Sequence, residues 1–451
     1  MVRAMYDPDL HLFGSDDEIV IRERLYRMTQ TVRKETAGPV LAANGEDEGT
    51  AIGWSTVVYD REACEFKVWY VPHQDTRIRL AVSKDCLQWS RRGMAVPDGP
   101  VRKCDALGLV DVGRSVDRWF GDARLLGFCY LAGADPGWGD AGLHSVKSVD
   151  GERLEINPSG IIPGAGDRSS MFYDDVLDEY WLISRRHRLG FPGMRLEEIS
   201  RGRTANLWKS RNLVDWEDFG TIISYDDADD PDVQIYGMQP FRCGRGFAAL
   251  VEMYHLNIER LDTQLAYSED GIKWHRTDGR TPVIPLGGEG AWDSHWTVPT
   301  INSPIPWGDR LLVPYIGAGT KHGSGIRHRR GVGLASIRKD GWISLEAGRV
   351  EGKLVTKKLP LDKPMRLEVN ADVHSGFLAV DVISTVPGRV FDPVPGYEAE
   401  KSRIENTDSV CHRVTWADKE VVRPIDGEAC YLRFTMYQGS LFSYRWSEAG
   451  T

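Results

Sequence analysis

The 451-residue sequence lacks the features of disulfide-bonded, zinc-binding or membrane-spanning proteins. Its seven cysteines are odd in number and form no CxxC pair, so we expect reduced cysteines and no metal site. No apolar run approaches the roughly 20 residues of a membrane span. The N-terminal segment carries acidic residues where a signal peptide would be apolar. We therefore expect a cytoplasmic protein with no membrane partner.

An excess of positive charge is also missing. The chain has 56 Lys and Arg against 66 Asp and Glu, a net charge of −10 that is spread along its length. This balance argues against a nucleic-acid partner and favours a neutral or cationic ligand. The length exceeds the size at which a single hydrophobic core stops growing, and 41% of the residues are hydrophobic. Two domains are the first expectation.

One short pattern, Ser-x-Asp/Asn followed by an aromatic residue or Leu, returns along the chain. Its copies recur about every 60 residues, which is the signature of a repeat architecture. Each copy predicts a hairpin turn, in which the Asp accepts backbone N–H groups and the next residue takes a positive φ. The five copies are LAVSKDCLQW (80–89), SVKSVDGERL (145–154), LWKSRNLVDW (207–216), LAYSEDGIKW (265–274) and the degenerate LASIRKDGW (334–342).

These repeats predict an all-β fold with two domains. Strand-like stretches precede each turn, so every repeat supplies four strands, and five such units over residues 39–345 predict a five-bladed β-propeller. Residues 346–451 alternate apolar and polar residues in short runs, which predicts a C-terminal β-sandwich. Residues 1–38 form a lead-in, either strand or short helix, that we expect to brace or close the ring.

Carboxylates stand near the first strand of every predicted blade. In a propeller these positions converge on a central funnel. Paired carboxyl groups are what cleavage of a glycosidic bond requires, because one protonates the leaving oxygen and the other attacks the anomeric carbon or activates water. A saccharide is therefore the expected ligand. The carboxylates are Glu46, Asp47, Glu48, Asp105, Asp111, Asp167, Asp232 and Asp293.

Several longer motifs carry a family resemblance. The order GWSTVVYD (53–60), AGDRSSMFYDD (165–175), VQIYGMQPF (233–241) and GEGAWDSHW (288–296) resembles bacterial glycosyl hydrolases similar to glycoside hydrolase family 32. Families 32, 43, 68 and 117 share a five-bladed propeller, and family 32 adds a β-sandwich. The resemblance implies a glycosidase that needs no metal or organic cofactor, and its substrate would be a furanoside such as a fructoside or arabinoside.

The resemblance also implies roles for individual residues. Asp167 stands where the family has an Arg-Asp-Pro motif, and it would stabilise the transition state. Glu48, within GEDEG (45–49), would be the nucleophile or base. The family's acid motif is replaced by VQIYGMQPF, so the acid stays open among Asp232, Glu252 and Asp293. The residues expected to shape the sugar site are Trp54, Tyr236, Gln264, Trp292 and His322.

Two other function classes remain open. A glycoside phosphorylase would replace one carboxylate with an Arg and His cluster that holds phosphate, and convergence of Arg168, Arg185 and His322 would favour it. A non-catalytic carbohydrate-binding propeller is the other alternative. Transglycosylation and a homo-oligomeric state are also compatible with the sequence.

Overall fold

The computed structural model describes residues 6–74, 77–96, 103–112, 121–132, 142–162, 165–186, 202–324, 329–386, 392–425 and 428–450. Within these ranges the chain consists of β-strands joined by loops, without an α-helix and with 3₁₀ turns at Asp278–Arg280 and Ala399–Lys401. The predicted all-β class is confirmed. The same ranges contain no apolar helix that could span a membrane, and no group of three or more metal-ligating side chains.

Five short strands lie in the first 42 residues, and all of them pair with strands beyond residue 329. The segment that could have been a strand or a short helix is therefore extended. Its pairings connect the N-terminal segment to strands from the last third of the chain. The strands are β1 (Leu10–Leu12), β2 (Ile19–Glu23), β3 (Leu25–Thr29), β4 (Arg33–Lys34) and β5 (Leu41–Ala42).

Three antiparallel four-stranded sheets follow, each with its strands in chain order. Their middle strands are rich in buried Val, Leu, Phe and Trp, which suits strands covered on both faces. The first sheet has β6 (Thr56–Asp60), β7 (Glu65–Tyr70), β8 (Arg79–Ser83) and β9 (Ser90–Met94). The second has β10 (Lys103–Asp111), β11 (Leu125–Ala132), β12 (Gly142–Ser148) and β13 (Glu155–Ile162). The third has β14 (Ala165–Asp174), β15 (Glu179–Arg186), β16 (Ala205–Ser210) and β17 (Glu217–Ile223).

A larger sheet contains two further groups of strands. A single parallel bridge between Leu261 and Trp296 joins the two groups, and β4 and β5 pair with the last strand of the second. The first group is β18 (Val233–Cys243), β19 (Gly246–His255), β20 (Arg260–Ser268) and β21 (His275–Arg276). The second is β22 (Trp296–Pro299), β23 (Ile305–Trp307), β24 (Arg310–Ala318) and β25 (Arg330–Arg338).

The remaining strands form two six-stranded sheets, which also contain β1, β2 and β3. The burial of β33 alternates residue by residue, so one of its faces lies in the core. Phe434 of β33 contacts Tyr444 of the other sheet with ring centroids 5.4 Å apart. The strands are β26 (Ile343–Ala347), β27 (Gly352–Thr356), β28 (Leu359–Pro360), β29 (Met365–Asp372), β30 (Phe377–Ser384), β31 (Ile404–Glu405), β32 (Asp408–Arg413), β33 (Ala429–Tyr437) and β34 (Gly439–Glu448).

The first strands of successive sheets lie beside one another. Strand β10 contacts both β6 and β14, and β14 contacts β18. The Thr56 hydroxyl donates to the Leu107 carbonyl at 2.8 Å and lies 3.1 Å from the Ile301 carbonyl. The Ile301 N–H donates to the Ser55 carbonyl at 2.8 Å. Residues just after β22 therefore contact the start of the first sheet.

Four of the five repeat motifs form the predicted turn between the third and fourth strands of a group. In each, one side-chain oxygen accepts the backbone N–H groups two and three residues later at 2.8–2.9 Å. The residue after it has a positive φ. The oxygens belong to Asp85, Asp150, Asn212 and Asp270.

The fifth copy does not form such a hairpin, so that expectation was wrong. Strands β25 and β26 flank Asp340 and Gly341, but they belong to different sheets. Strand β26 pairs with β3 and β34 instead, while the edge of β25 is taken by β4 and β5. The expected domain boundary after residue 345 lies within β26.

Replacing Gly271 with alanine is expected to lower the free energy of unfolding by about 2 kcal/mol. Its φ is +74°, and an added Cβ would lie 1.9 Å from the buried Trp181 ring. Gly220 has a φ of +73° but open space around it, so Gly220→Ala should cost only about 1 kcal/mol. Urea denaturation measures both values. Equal losses would show that Trp181 moves aside without cost.

Candidate functional site

Strands β10, β14 and β18, each the first strand of its group, contain β-bulges at residues whose side chains are charged or carry a hydroxyl. The pairing shifts at Asp105 in β10, at Asp167 and Arg168 in β14, and at Tyr236 in β18. A bulge leaves its extra residue unpaired and re-aims the side chain. Two of them, Asp167 and Asp105, act on the same side chain: burial and then their charges raise the pKa of Tyr130.

Buried aromatic rings surround Tyr236. The Trp54 ring lies 6.2 Å from both the Tyr236 and Trp296 rings, measured between centroids. The Tyr254 ring packs edge-on against Tyr236 at 5.6 Å. We call these rings and the charged groups next to them the central cluster. It consists of Trp54, Asp105, Asp167, Arg168, Arg185, Arg203, Tyr236, Glu252, Tyr254, Trp296, His322 and Arg330.

His322 reaches this cluster from the loop that follows β24. Its Nε2 lies 2.9 Å from the Tyr236 hydroxyl, and its ring stacks on Trp296 with centroids 5.3 Å apart. Burial and the nearby Arg203, Arg185 and Arg330 lower its pKa from 6.5 to about 4. The ring is therefore neutral at pH 7 and held in place by aromatic contacts.

Arg185 connects the aromatic rings with Asp167. Its Nε donates to Asp167 Oδ1 at 2.9 Å, and its guanidinium lies 4.5 Å from the Tyr236 ring centroid. The same Oδ1 accepts the backbone N–H of Arg168 at 2.9 Å. Among the residues that the structure describes, one terminal nitrogen of Arg185 is buried without a hydrogen-bond partner. This is a costly arrangement unless a ligand completes it.

Arg168 and Glu252 form a fully buried ion pair beneath Trp54. Their side chains are 1% and 0% exposed. Arg168 Nε lies 2.9 Å from Glu252 Oε2, and the guanidinium lies 4.2 Å from the Trp54 ring centroid. Two residues named from the sequence, Glu252 and Arg168, are thus paired with each other, and the acid role expected for Glu252 stays a prediction.

Two more arginines bring the cluster to a local excess of positive charge. Arg203 lies 5.5 Å from the Tyr254 ring and Arg330 lies 5.4 Å from the Trp296 ring. Burial and then the charge of Arg185 lower the pKa of Arg203, and burial lowers the pKa of Arg330. Arg330 Nε is buried and has no hydrogen-bond partner within the described part of the chain. Like charges so close together favour binding of an anion.

Three of the expected catalytic carboxylates lie outside the cluster and have structural partners. Glu48 is fully buried and accepts hydrogen bonds from the Tyr70 hydroxyl at 2.8 Å and from Arg91 Nε at 3.1 Å. Asp293 Oδ2 contacts Lys34 Nζ at 2.6 Å and the Tyr315 hydroxyl at 2.9 Å. Asp232 accepts the Asn257 N–H at 2.8 Å and so holds the turn after β19.

The expected sugar-binding residues divide in the same way. Trp54, Arg185, Tyr236 and His322 belong to the central cluster. Trp292 packs on Tyr315 instead, with centroids 5.7 Å apart. Gln264 lies on β20 with its Oε1 buried and unpartnered among the described residues.

Sequence reasoning missed Arg203, Arg330, Tyr254 and Trp296 as members of the site. None of them stands in a repeat motif, and only the fold brings them together. The sequence did indicate Asp105, because it is one of the carboxylates expected at the start of each blade.

No family model and no curated protein matches this chain. Solved structures are similar at low identity. A thermostable family-43 glycoside hydrolase is 11% identical over 66% of this chain and 92% of its own, with a TM-score of 0.43. A structure from the GH130 family of mannoside phosphorylases, which contains glycoside hydrolases that target β-1,2 mannosidic linkages, is 11% identical over 71% of this chain and 97% of its own, with a TM-score of 0.46. A fructofuranosidase from Schwanniomyces occidentalis is 11% identical over 91% and 97%, with a TM-score of 0.46.

The expected resemblance to propeller glycoside hydrolases is thus also found among solved structures. At TM-scores below 0.5 these similarities decide neither the blade count nor the activity of this chain. The geometry of the central cluster carries the functional conclusion instead.

Proposed function

We propose that this chain is an enzyme that cleaves a glycosidic bond on a five-bladed propeller with an appended β-sandwich. The five groups of strands beginning with β6, β10, β14, β18 and β22 would be the blades. The contacts of Thr56 and Ile301 support a closed ring. In this arrangement β4 and β5 complete the fifth blade, while β1, β2 and β3 join the sandwich.

One observation carries the type of reaction. The guanidinium groups of Arg185, Arg203 and Arg330 each lie against an aromatic ring that contacts His322. Burial and then these charges lower the pKa of His322 to about 4. Asp167 and Asp105 are candidate carboxylates at the cluster, while Glu48, Asp293 and Glu252 are engaged in ion pairs with Arg91, Lys34 and Arg168. Forked guanidinium groups suit a phosphate ion. We infer that phosphate is the attacking group, so the enzyme is a glycoside phosphorylase.

The reaction then needs one carboxylic acid. A phosphate oxygen attacks the anomeric carbon while the bond from this carbon to the leaving oxygen breaks, and the leaving oxygen takes a proton from Asp105. The products are a glycosyl phosphate and a saccharide with a free hydroxyl. Asp105 regains its proton from solvent. Asp167 would bind sugar hydroxyls and position Arg185, because its Oδ1 already accepts two N–H donors.

A hydrolase is the second candidate. Two observations favour it: Asp105 and Asp167 both lie on β-bulges, and, after burial, the charges of both raise the pKa of Tyr130. In that reaction the arginines would bind an anionic group of the substrate, and the two carboxylates would act as acid and base.

Calorimetric titration with inorganic phosphate tests the proposal. The wild type should bind phosphate, and Arg185→Lys should raise the Kd about tenfold because the planar fork is lost. Arg349→Lys, at an exposed position, is the matched control. Products of glycoside turnover are then identified by phosphorus NMR. A glycosyl phosphate supports phosphorolysis, and release of free sugar without phosphate indicates a hydrolase. If the protein binds sugar but turns over no glycoside, and Asp167→Ala binds sugar as well as the wild type does, the chain is a binding module.

A further inference from the structure

A groove of about 750 Å³ lies beside the central cluster. Its walls come from the loop at 39–50, the loop at 290–292 and the adjoining ends of β24 and β25. The volume is within the range of about 300–1,000 Å³ that is typical of ligand pockets. None of the residues that line it takes part in the bond cleavage described above, apart from Arg330.

The charge of this groove is opposite to that of the whole protein. Its charged lining residues are Arg329 and Arg330, and the described lining contains no carboxylate, although the chain carries a net charge of −10. Of the carboxylates close in sequence, two are engaged in ion pairs and two, Glu46 and Glu289, are exposed. Asp47 pairs with Arg79 at 2.5 Å and Glu48 with Arg91 at 3.1 Å.

Arg330 connects the groove with the central cluster. Its guanidinium lies near the Trp296 ring of the cluster, and the same residue lines the groove. Its buried Nε has no hydrogen-bond partner in the ranges that the structure describes. A ligand that occupies the central cluster could therefore extend past Arg330 into the groove.

The other walls suit a sugar ring. Trp292 is partly exposed and offers an apolar face to carbohydrate C–H groups. Gly45 and Gly290 have positive φ and open space where a Cβ would be, so no side chain narrows the groove at these positions.

We propose that this groove is a saccharide subsite that receives a sugar residue with an anionic group, a carboxylate or a sulfate. The inference rests on the proposed function for the position of the substrate. It predicts that the leaving group is an acidic oligosaccharide, with its anionic group near Arg329 and Arg330 and its ring against Trp292.

Calorimetric titrations with tetrasaccharides test this subsite. The acidic ligands are tetramers of galacturonic, glucuronic and mannuronic acid, and each is compared with its neutral hexose counterpart. Sulfated neutral tetramers supply the charge from a second chemical group. We expect an acidic or sulfated tetramer to bind at least tenfold more tightly than its neutral counterpart, with a difference that shrinks in high salt. Arg329→Ala should weaken binding of the anionic tetramer about fivefold and leave the neutral one unchanged. Trp292→Phe should retain binding, and Trp292→Ala should weaken it for both. Arg349→Ala is the control.

Equal affinity for anionic and neutral tetramers, or no binding of either, would overturn the subsite. So would full affinity in Arg329→Ala. The outcome is independent of the reaction type, because phosphate titration and product analysis are separate measurements. If binding of the anionic tetramer depends on Arg329 but the protein binds no phosphate, this inference stands and the proposed phosphorylase reaction is rejected.

Discussion

Replacing Glu252 with alanine is expected to lower the free energy of unfolding by about 3–5 kcal/mol. The change leaves the Arg168 guanidinium buried beneath Trp54 without its charged partner. Water cannot readily replace the carboxylate, because both side chains are almost fully excluded from solvent. Urea denaturation of the variant, compared with the wild type at the same pH, measures the loss.

Two comparisons separate this role from catalysis. Lys363→Ala removes an exposed ion pair with Glu448 and should cost at most about 1 kcal/mol. The double variant Arg168→Met, Glu252→Leu should recover much of the stability lost in Glu252→Ala, because no unpaired charge remains. A Glu252→Ala protein of normal stability that has lost only turnover would instead make Glu252 the catalytic acid.

The local parts of the fold could be predicted because their cause is local. The side chain at Asp85, Asp150, Asn212 or Asp270 holds the N–H groups of its own turn, so a short motif is enough to predict it. The pairing of β4 and β5 with β25 depends on residues some 300 positions apart, and the sequence showed no pattern for it. The same distance explains why the fifth motif did not predict its strand partner.

The central cluster was harder to predict, because a carboxylate at a strand start serves catalysis and buried ion pairing equally well. Glu48 pairs with a residue 43 positions away, Glu252 with one 84 away, and Asp293 with one 259 away. No single-sequence pattern reveals such partners. The cluster has a local excess of positive charge although the whole chain carries a net charge of −10. The net charge of a sequence does not show how its charges are distributed in space.

Lowering the pH from about 6.5 to 4 is expected to destabilise the protein by roughly 3 kcal/mol through His322 alone. In the folded protein this ring stays neutral down to about pH 4, whereas in the unfolded chain it takes up a proton near pH 6.5. Between these values the unfolded state binds more protons. The free energy of unfolding therefore falls as the pH falls, and His322 contributes no slope above pH 6.5.

Urea denaturation at several pH values, for the wild type and His322→Gln, measures this contribution as a difference between two curves. His11 adds a separate loss in both proteins, because burial and then Arg245 lower its pKa to about 3. Its share therefore cancels in the difference. Parallel curves between pH 4 and 6.5 would show that His322 is protonated without cost in the folded state.

Phosphate should reduce the same loss. The charges of Arg203, Arg185 and Arg330 contribute to the low pKa of His322, and a bound anion would offset them. Protonation of His322 would then become easier in the folded state, so the wild type should take up more protons, or release fewer, than His322→Gln when phosphate binds near pH 5. Calorimetry of both proteins in buffers with different ionisation enthalpies measures this difference, and any proton that phosphate itself releases cancels in it. Equal proton exchange in the two proteins would place the bound phosphate away from His322, and the arginines around it would then need another ligand.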